Sequence, residues 1–272
     1  MDDWPEEHYP RDAKIDEAKD VLLRDLFGQR AEVFYNRQIA VLFERRFYHW
    51  ITTKALIELA QERRVESTVE QLETEAGEEV IRFYWPRNVR YWRRQANEIR
   101  RLVEEFSSPD MMRALGLQGE LLFDAAFAKF GWLHRGETVR AYRGREWTKT
   151  GHNLDRVFER DGLSYGVEIK NSLSYIERGE LEIKLAMCEA LALRPLFIMR
   201  AAPKSYTHMV NQAGGYLLTF EWQLYPYGRE DLAQRVHDRL GLKVDTPRAI
   251  YEGTMKRLLD WHVRQVRGEA RQ

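Results

Sequence analysis

Residues 153–170 read NLDRVFERDGLSYGVEIK. Asn153 to Arg160 predicts a strand, Asp161-Gly162 a tight turn, and Leu163 to Lys170 the returning strand. Asp-Gly between alternating apolar runs is the strongest short-range hairpin signal, because both turn positions need positive φ. Pairing Arg160 with Leu163 and counting outward sets Asp155 directly opposite Glu168. Lys170, two residues beyond Glu168, projects from the same face. Facing carboxylates repel and destabilise a sheet unless something cationic binds between them, and Lys170 and a divalent metal both fit that need.

The opposite face fixes the register. Phe158, Leu163, Tyr165, Val167 and Ile169 all project there, so a slip of one residue would turn them to water and bury the acids. Gly166, across from Val157 on the acidic side, is expected to leave open space beside the carboxylates. A half-exposed hairpin with an ordinary surface salt bridge is the plainer alternative.

A third acid lies upstream. Leu117 to Phe130 reads as a helix, with Glu120 about 20° from Phe127 and about 60° from Phe123 around its axis. An acid at the edge of an apolar stripe is costly unless paired or metal-linked. A boundary glutamate that packs its stem and reaches water with its carboxylate is the alternative.

The order of parts resembles the PD-(D/E)XK nucleases. A helix with Glu120 is followed by strands near Thr138–Tyr142, at Asp155 and at Glu168-Ile169-Lys170, then a helix near Glu177–Leu193 and a strand at Pro195–Arg200. The resemblance covers roughly residues 116 to 225 and implies an α/β (α+β) restriction-endonuclease-like core of order αβββαβ. It matches Asp155, Glu168 and Lys170 to the family motif and Glu120 to the acid often found on the first core helix; Leu154, not Pro, precedes Asp155. The implied cofactor is Mg²⁺, with Mn²⁺ as a substitute. It would be held by Asp155, Glu168 and the Ile169 carbonyl, with Glu120 binding a second ion or orienting a metal-bound water. Mg²⁺ takes oxygen ligands at roughly 2.0–2.1 Å and keeps several waters. Lys170 would orient or deprotonate the attacking water and offset charge on the transition state. Burial beside a dication would depress its pKa, and the neighbouring acids oppose that.

Asn171 and Lys184 are further candidates for contact with nucleic acid. Lys184 also reads as a solvated helix position paired with Glu180 at i−4. His152 reads as loop surface, and Cys188, the single cysteine, as a buried thiol on a helix. One cysteine excludes an internal disulfide and a Cys-based zinc site.

Composition sets the bounds. The chain has 272 residues, 44% hydrophobic and 32% charged, which fits a globular protein of one large domain or two modest ones. No apolar run approaches the roughly 20 residues that span a bilayer. The acidic N-terminus with Pro5 and Pro10 predicts no signal peptide, and a cytoplasmic protein is expected.

Net charge is zero, with 43 basic and 43 acidic residues, but their distribution is uneven. Val65 to Val80 carries Glu66, Glu70, Glu73, Glu75, Glu78 and Glu79 and no base. Ile81 to Arg101 carries seven arginines, including Arg87, Arg90, Arg93 and Arg94, interleaved with Phe83, Tyr84, Trp85, Tyr91 and Trp92. Such a stretch predicts a surface that tracks a phosphate backbone.

Helices are expected at residues 12–27, at Glu32–Tyr48 and at Ile51–Glu62, then strands at Thr68–Leu72 and Glu79–Trp85. That order resembles a winged helix-turn-helix. It makes the helix from about Thr52 to Arg64 the groove reader, with Lys54, Arg63 and Arg64 on phosphates. Phosphate would repel the acidic hairpin, which suits a dimer or partner contact instead. Asn88–Phe106 reads as a connecting helix closed by Ser107-Ser108-Pro109. The expected division is 1–108, a winged-helix-like module, and 109–272, the nuclease domain. C-terminal helices are expected at Arg229–Leu240 and Pro247–Val266, after a strand at Tyr216–Tyr225.

The expectation is a metal-dependent endodeoxyribonuclease of restriction or defence type, a homodimer acting on DNA away from membranes. The alternatives are a structure-selective nuclease on junctions, flaps or RNA, and a non-catalytic DNA-binding or interaction protein with a degenerate nuclease fold.

Overall fold

The Asp161-Gly162 turn forms with positive φ at both positions, 48° and 76°. The strands it joins pair antiparallel from Arg160↔Leu163 to Arg156↔Val167, where the ladder ends and the Asp155 side chain reaches the Ile169 N–H. The computed structural model describes residues 12–74 and 77–268. Glu75 lies outside the described residues, as do the side chains of Glu73, Glu78 and Glu79. The chain is a mixed α/β protein of two compact units, residues 1–112 with 231–242, and residues 113–230 with 243–272.

In the first unit, α1 (Lys14–Leu22) runs into a π-helical turn (Leu23–Phe27). Then come β1 (Phe34–Tyr35), α2 (Asn36–Leu42), α3 (His49–Gln61), β2 (Glu66–Thr74), β3 (Gly77–Trp85) and α4 (Trp92–Phe106). The sheet order is β1-β3-β2. Ile15, Leu22, Ile39, Ile51, Leu56, Leu59 and Tyr84 share one buried core. The single helix expected over Glu32–Tyr48 does not form. Phe34 and Tyr35 pair instead with Tyr84 and Phe83, and the Tyr35 N–H is taken by Gln38 Oε1 at 3.1 Å. Aromatic residues side by side suit a ladder better than a helix.

The second unit begins within α5 (Pro109–Lys129), followed by β4 (Leu133–Val139), the small hairpin β5 (Ala141–Tyr142) and β6 (Arg145–Glu146), then β7 (Leu154–Arg160) and β8 (Leu163–Lys170). It continues with α6 (Arg178–Ala190), β9 (Arg194–Met199), α7 (Lys204–Gln212), β10 (Tyr216–Thr219) and β11 (Gln223–Leu224). After α8 (Glu230–Leu240), which belongs to the first unit from Asp231 on, the second unit resumes with β12 (Val244–Asp245) and α9 (Glu252–Val266). The main sheet runs β10-β9-β8-β7-β4, parallel across β8-β9-β10 and antiparallel across β4-β7-β8.

Both faces of β7, β8 and β9 are covered, while the edge strand β4 is largely exposed. On one, Phe158, Tyr165, Val167 and Ile169 pack with Phe123 and Phe127 of α5 and Leu258 and Trp261 of α9. On the other, Leu154 and Val157 pack with Met187 and Cys188 of α6, and Phe197 and Met199 with Leu181 and Val210. The acid-bearing face is therefore interior, and the space expected beside Gly166 is filled. A Cβ there would lie 2.8 Å from both Cys188 Sγ and Leu154 Cδ1. Glycine is required because α6 lies directly on the strand.

Two boundaries differ from expectation. The division falls at Met112, inside α5, and Asp231–Leu242 belongs to the first unit, where Leu240 O accepts from buried Gln38 Nε2 at 3.0 Å. The strand expected over Tyr216–Tyr225 breaks at Glu221, whose φ is 67°. Its second half, β11, pairs in parallel with β12. No helix among the described residues is long and apolar enough to cross a membrane.

Candidate active site at the end of the central hairpin

Asp155 stands at the start of β7, half-buried, with Oδ2 accepting the Ile169 N–H of β8 at 2.8 Å. That bond locks the carboxylate to the neighbouring strand and aims it along the sheet end. Glu168, the residue before Ile169 on β8, is 2% exposed. Burial, then the charge of Asp155, pushes its carboxyl up to about 7. The two acids therefore share one electrostatic environment.

The ammonium on Glu168 is not the expected one. Lys184 of α6 donates to Glu168 Oε2 at 2.7 Å and also to the Asn153 carbonyl, and it is 4% exposed. It is neither a solvated helix position nor a surface contact for phosphate, and its partner is not Glu180. Glu180 pairs instead with Lys170, at 3.3 Å. Burial alone would lower the Lys170 pKa, but Glu180, Glu168 and Asp155 together outweigh it and hold the pKa above its ordinary value. Lys170 is thus a charged donor at neutral pH, not a ready base.

Glu120 sits half-buried on α5, and Arg156 of β7 bridges it at 2.8 Å and Asp124 at 3.2 Å. Burial, then Asp155, raises the Glu120 pKa, against the pull of Arg156. Arg156 is bound by carboxylates of α5 and Glu168 by Lys184 of α6, so the two side chains lie on opposite faces of the sheet. Among the described residues no group of three or more His, Cys, Asp or Glu side chains is placed to hold a metal ion. The structure thus brings Asp155, Glu168, Ile169 and Lys170 together and ties Glu120 to Arg156. Two carboxylates and a main-chain carbonyl are hard oxygen donors, and they suit a cation that retains several waters.

Asn171, expected at the phosphate side, is 5% exposed. Its amide donates to Leu115 O and Leu224 O, and its Oδ1 accepts from Leu224 N at 2.8 Å. It welds the end of β8 to its neighbours. Gly119 permits this, since a Cβ there would lie 2.9 Å from Asn171 Cβ.

The basic candidates of the first unit lie at its surface. Lys54 on α3 and Arg63 and Arg64 just past its end are exposed, as are Arg87, Arg90, Arg93 and Arg94. The Arg93 guanidinium covers the Trp92 ring at 4.5 Å, and Trp92 stacks on Trp85 at 4.5 Å. Glu66 lies 3.4 Å from Arg87, and Glu70 lies 3.7 Å from Arg100. Part of the acidic strand thus neutralises arginines of its own unit.

Sequence reasoning passed over Arg156, Glu180 and Gly119. Glu180 was visible as the i−4 neighbour of Lys184, but its pairing with Lys170 needs α6 docked on the sheet. Cys188 is fully buried as expected, and burial pushes its thiol up to about 12.

Comparison with family models, curated proteins and solved structures gives no match.

Proposed function

We propose that the chain is a metal-dependent endodeoxyribonuclease of the PD-(D/E)XK type. The observation that carries this is Asp155 at the end of the central hairpin, whose carboxylate accepts the N–H of Ile169, between Glu168 and Lys170 on the neighbouring strand. The order α5-β4-β7-β8-α6-β9 supports it, since it is αβββαβ apart from the small β5–β6 hairpin. The order α1-β1-α2-α3-β2-β3, with its three-stranded sheet, supports a winged-helix-like first unit. A restriction or defence role as a homodimer belongs to the same reading.

Asp155 and Glu168 would hold Mg²⁺ or Mn²⁺, with the Ile169 carbonyl as a third donor. When bound, the ion supplies Lewis-acid polarisation of the phosphate and a bound water of lowered pKa. The chain's own groups do the rest. Ile169 N–H orients Asp155. Lys170, held by Glu180, presents an ammonium that orients water and offsets negative charge on the phosphate. Arg156 keeps Glu120 and Asp124 in place beside the strand end. The exposed lysine and arginines of the first unit supply phosphate contacts.

A second reading rests on Lys184. An ion pair that occupies Glu168 suits a non-catalytic DNA-binding protein on a degenerate nuclease fold. Cleavage of supercoiled plasmid, linear duplex, branched DNA and RNA with Mg²⁺ separates the two. The nuclease reading requires metal-dependent cuts that Asp155→Asn abolishes while DNA binding persists. Binding without cleavage of any substrate is the outcome for the second.

A further inference from the structure

Lys184 is the most deeply placed lysine of the site. It projects from α6, its side chain 6% exposed, onto a Glu168 side chain that is 3% exposed. Its two acceptors are a carboxylate oxygen and the Asn153 carbonyl, two residues before Asp155. These are the oxygen types a hard divalent cation takes. Lys170 does not compete for this position, because its ammonium is 3.3 Å from Glu180. Lys184 is also built for a change of place. A lysine carries a compact charge on a flexible four-carbon stem.

We propose that Lys184 is a positioning residue that acts as a tethered stand-in for the divalent ion. It holds Glu168 oriented and compensated in the metal-free protein and leaves Oε2 when the ion binds. Two cations cannot both sit on one buried carboxylate oxygen without strong repulsion in an interior of low effective dielectric. The departing ammonium swings away from the ion toward the partly exposed Glu180, one turn earlier on α6, where solvent reaches it. Each ion bound thus exposes one lysine. The inference rests on the metal-binding reading above and adds to it a specific movement.

The test is reductive methylation of the full chain with formaldehyde and cyanoborohydride, followed by mass spectrometry of the Lys184 and Lys54 peptides. It is run with and without Mn²⁺, with calorimetry on the same protein to record ion binding. Without the ion, Lys184 is protected relative to exposed Lys54. At saturating Mn²⁺ its methylation rises by about tenfold or more while Lys54 is unchanged. If Mn²⁺ binds and Lys184 stays protected, Lys184 is a fixed structural partner and the proposal is overturned. If calorimetry records no binding, with or without DNA, the metal reading itself fails first. A Lys184→Arg variant separates these roles further. A fixed structural cation is replaced by arginine with Mn²⁺ affinity unchanged, whereas a bulkier, more firmly held guanidinium in a stand-in's place weakens Mn²⁺ binding by about tenfold.

Discussion

Lys184 Nζ and Glu168 Oε2 lie 2.7 Å apart with both side chains buried. Removing one member of a buried pair strands the other charge, which costs about 3–5 kcal/mol. Lys184→Met is expected to lose up to that much in urea unfolding above pH 7, and less at lower pH, where Glu168 takes up a proton. Lys184→Met combined with Glu168→Leu recovers most of it, because no charge is then left without a partner. Equal losses in the single and double variants would show that the pair is not the source.

The same pair sets a pH dependence. Glu168 has its carboxyl at about 7 in the folded chain against an ordinary 4.5, so the folded state binds this proton more tightly than the unfolded state. Stability from this group is therefore greatest below about pH 4.5 and falls as pH rises toward 7. Glu159 acts oppositely. Hydrogen bonds from Tyr142, then Arg135 and Ser164, hold it at about 2. Its contribution is present above pH 4.5 and is lost as pH falls toward 2. Thermal melts across this range are expected to peak in the mildly acidic region. The Lys184→Met/Glu168→Leu variant keeps the acid limb and lacks the decline toward pH 7. A wild type with no decline between pH 5 and pH 7 would count against a Glu168 that ionises only with difficulty.

The hairpin was legible because its information is local. Asp161-Gly162 fixed the turn, and alternation sorted the residues onto two faces, without showing that α6 covers the acidic one as well. Counting along the hairpin register also put Asp155 beside the end of β8, where its carboxylate accepts the Ile169 N–H. The partner of Glu168 was not legible. Lys184 lies 16 residues away in the chain, and only the docking of α6 over Gly166 brings it there. Asn171 misled for the same reason. Its amide and carbonyl are consumed by Leu115 and Leu224, both more than 50 residues distant. In the first unit the Val33–Tyr35 run reads equally as helix or strand, since apolar residues side by side satisfy both periods until a partner strand is known.

Gly166 reports on that docking directly. A methyl group at this position meets Cys188 Sγ and Leu154 Cδ1 at 2.8 Å. Gly166→Ala is expected to cost about 1–3 kcal/mol through overpacking. Adding Cys188→Ala makes room and returns part of that loss. No recovery in the double variant would mean that α6 does not press on β8.

The arginine surface makes a separate claim. Arg90, Arg93 and Arg94 are exposed on one stretch of the first unit, with Arg93 braced on Trp92. Each alanine substitution that removes a phosphate contact is expected to lower the slope of log K against log salt by about 1 and to weaken all sequences alike. Fluorescence anisotropy with two unrelated duplexes, titrated across salt, reads both effects. An unchanged slope in the triple variant would remove this stretch from the interface.

The most direct measurement is a crystal of the chain soaked in Mn²⁺ and recorded for anomalous scattering. The account predicts a peak within coordination distance of Asp155 and Glu168, at the end of the hairpin, with the Lys184 ammonium moved off Glu168. An empty map at these two carboxylates in crystals that bind Mn²⁺ elsewhere, with Lys184 still on Glu168, would contradict it.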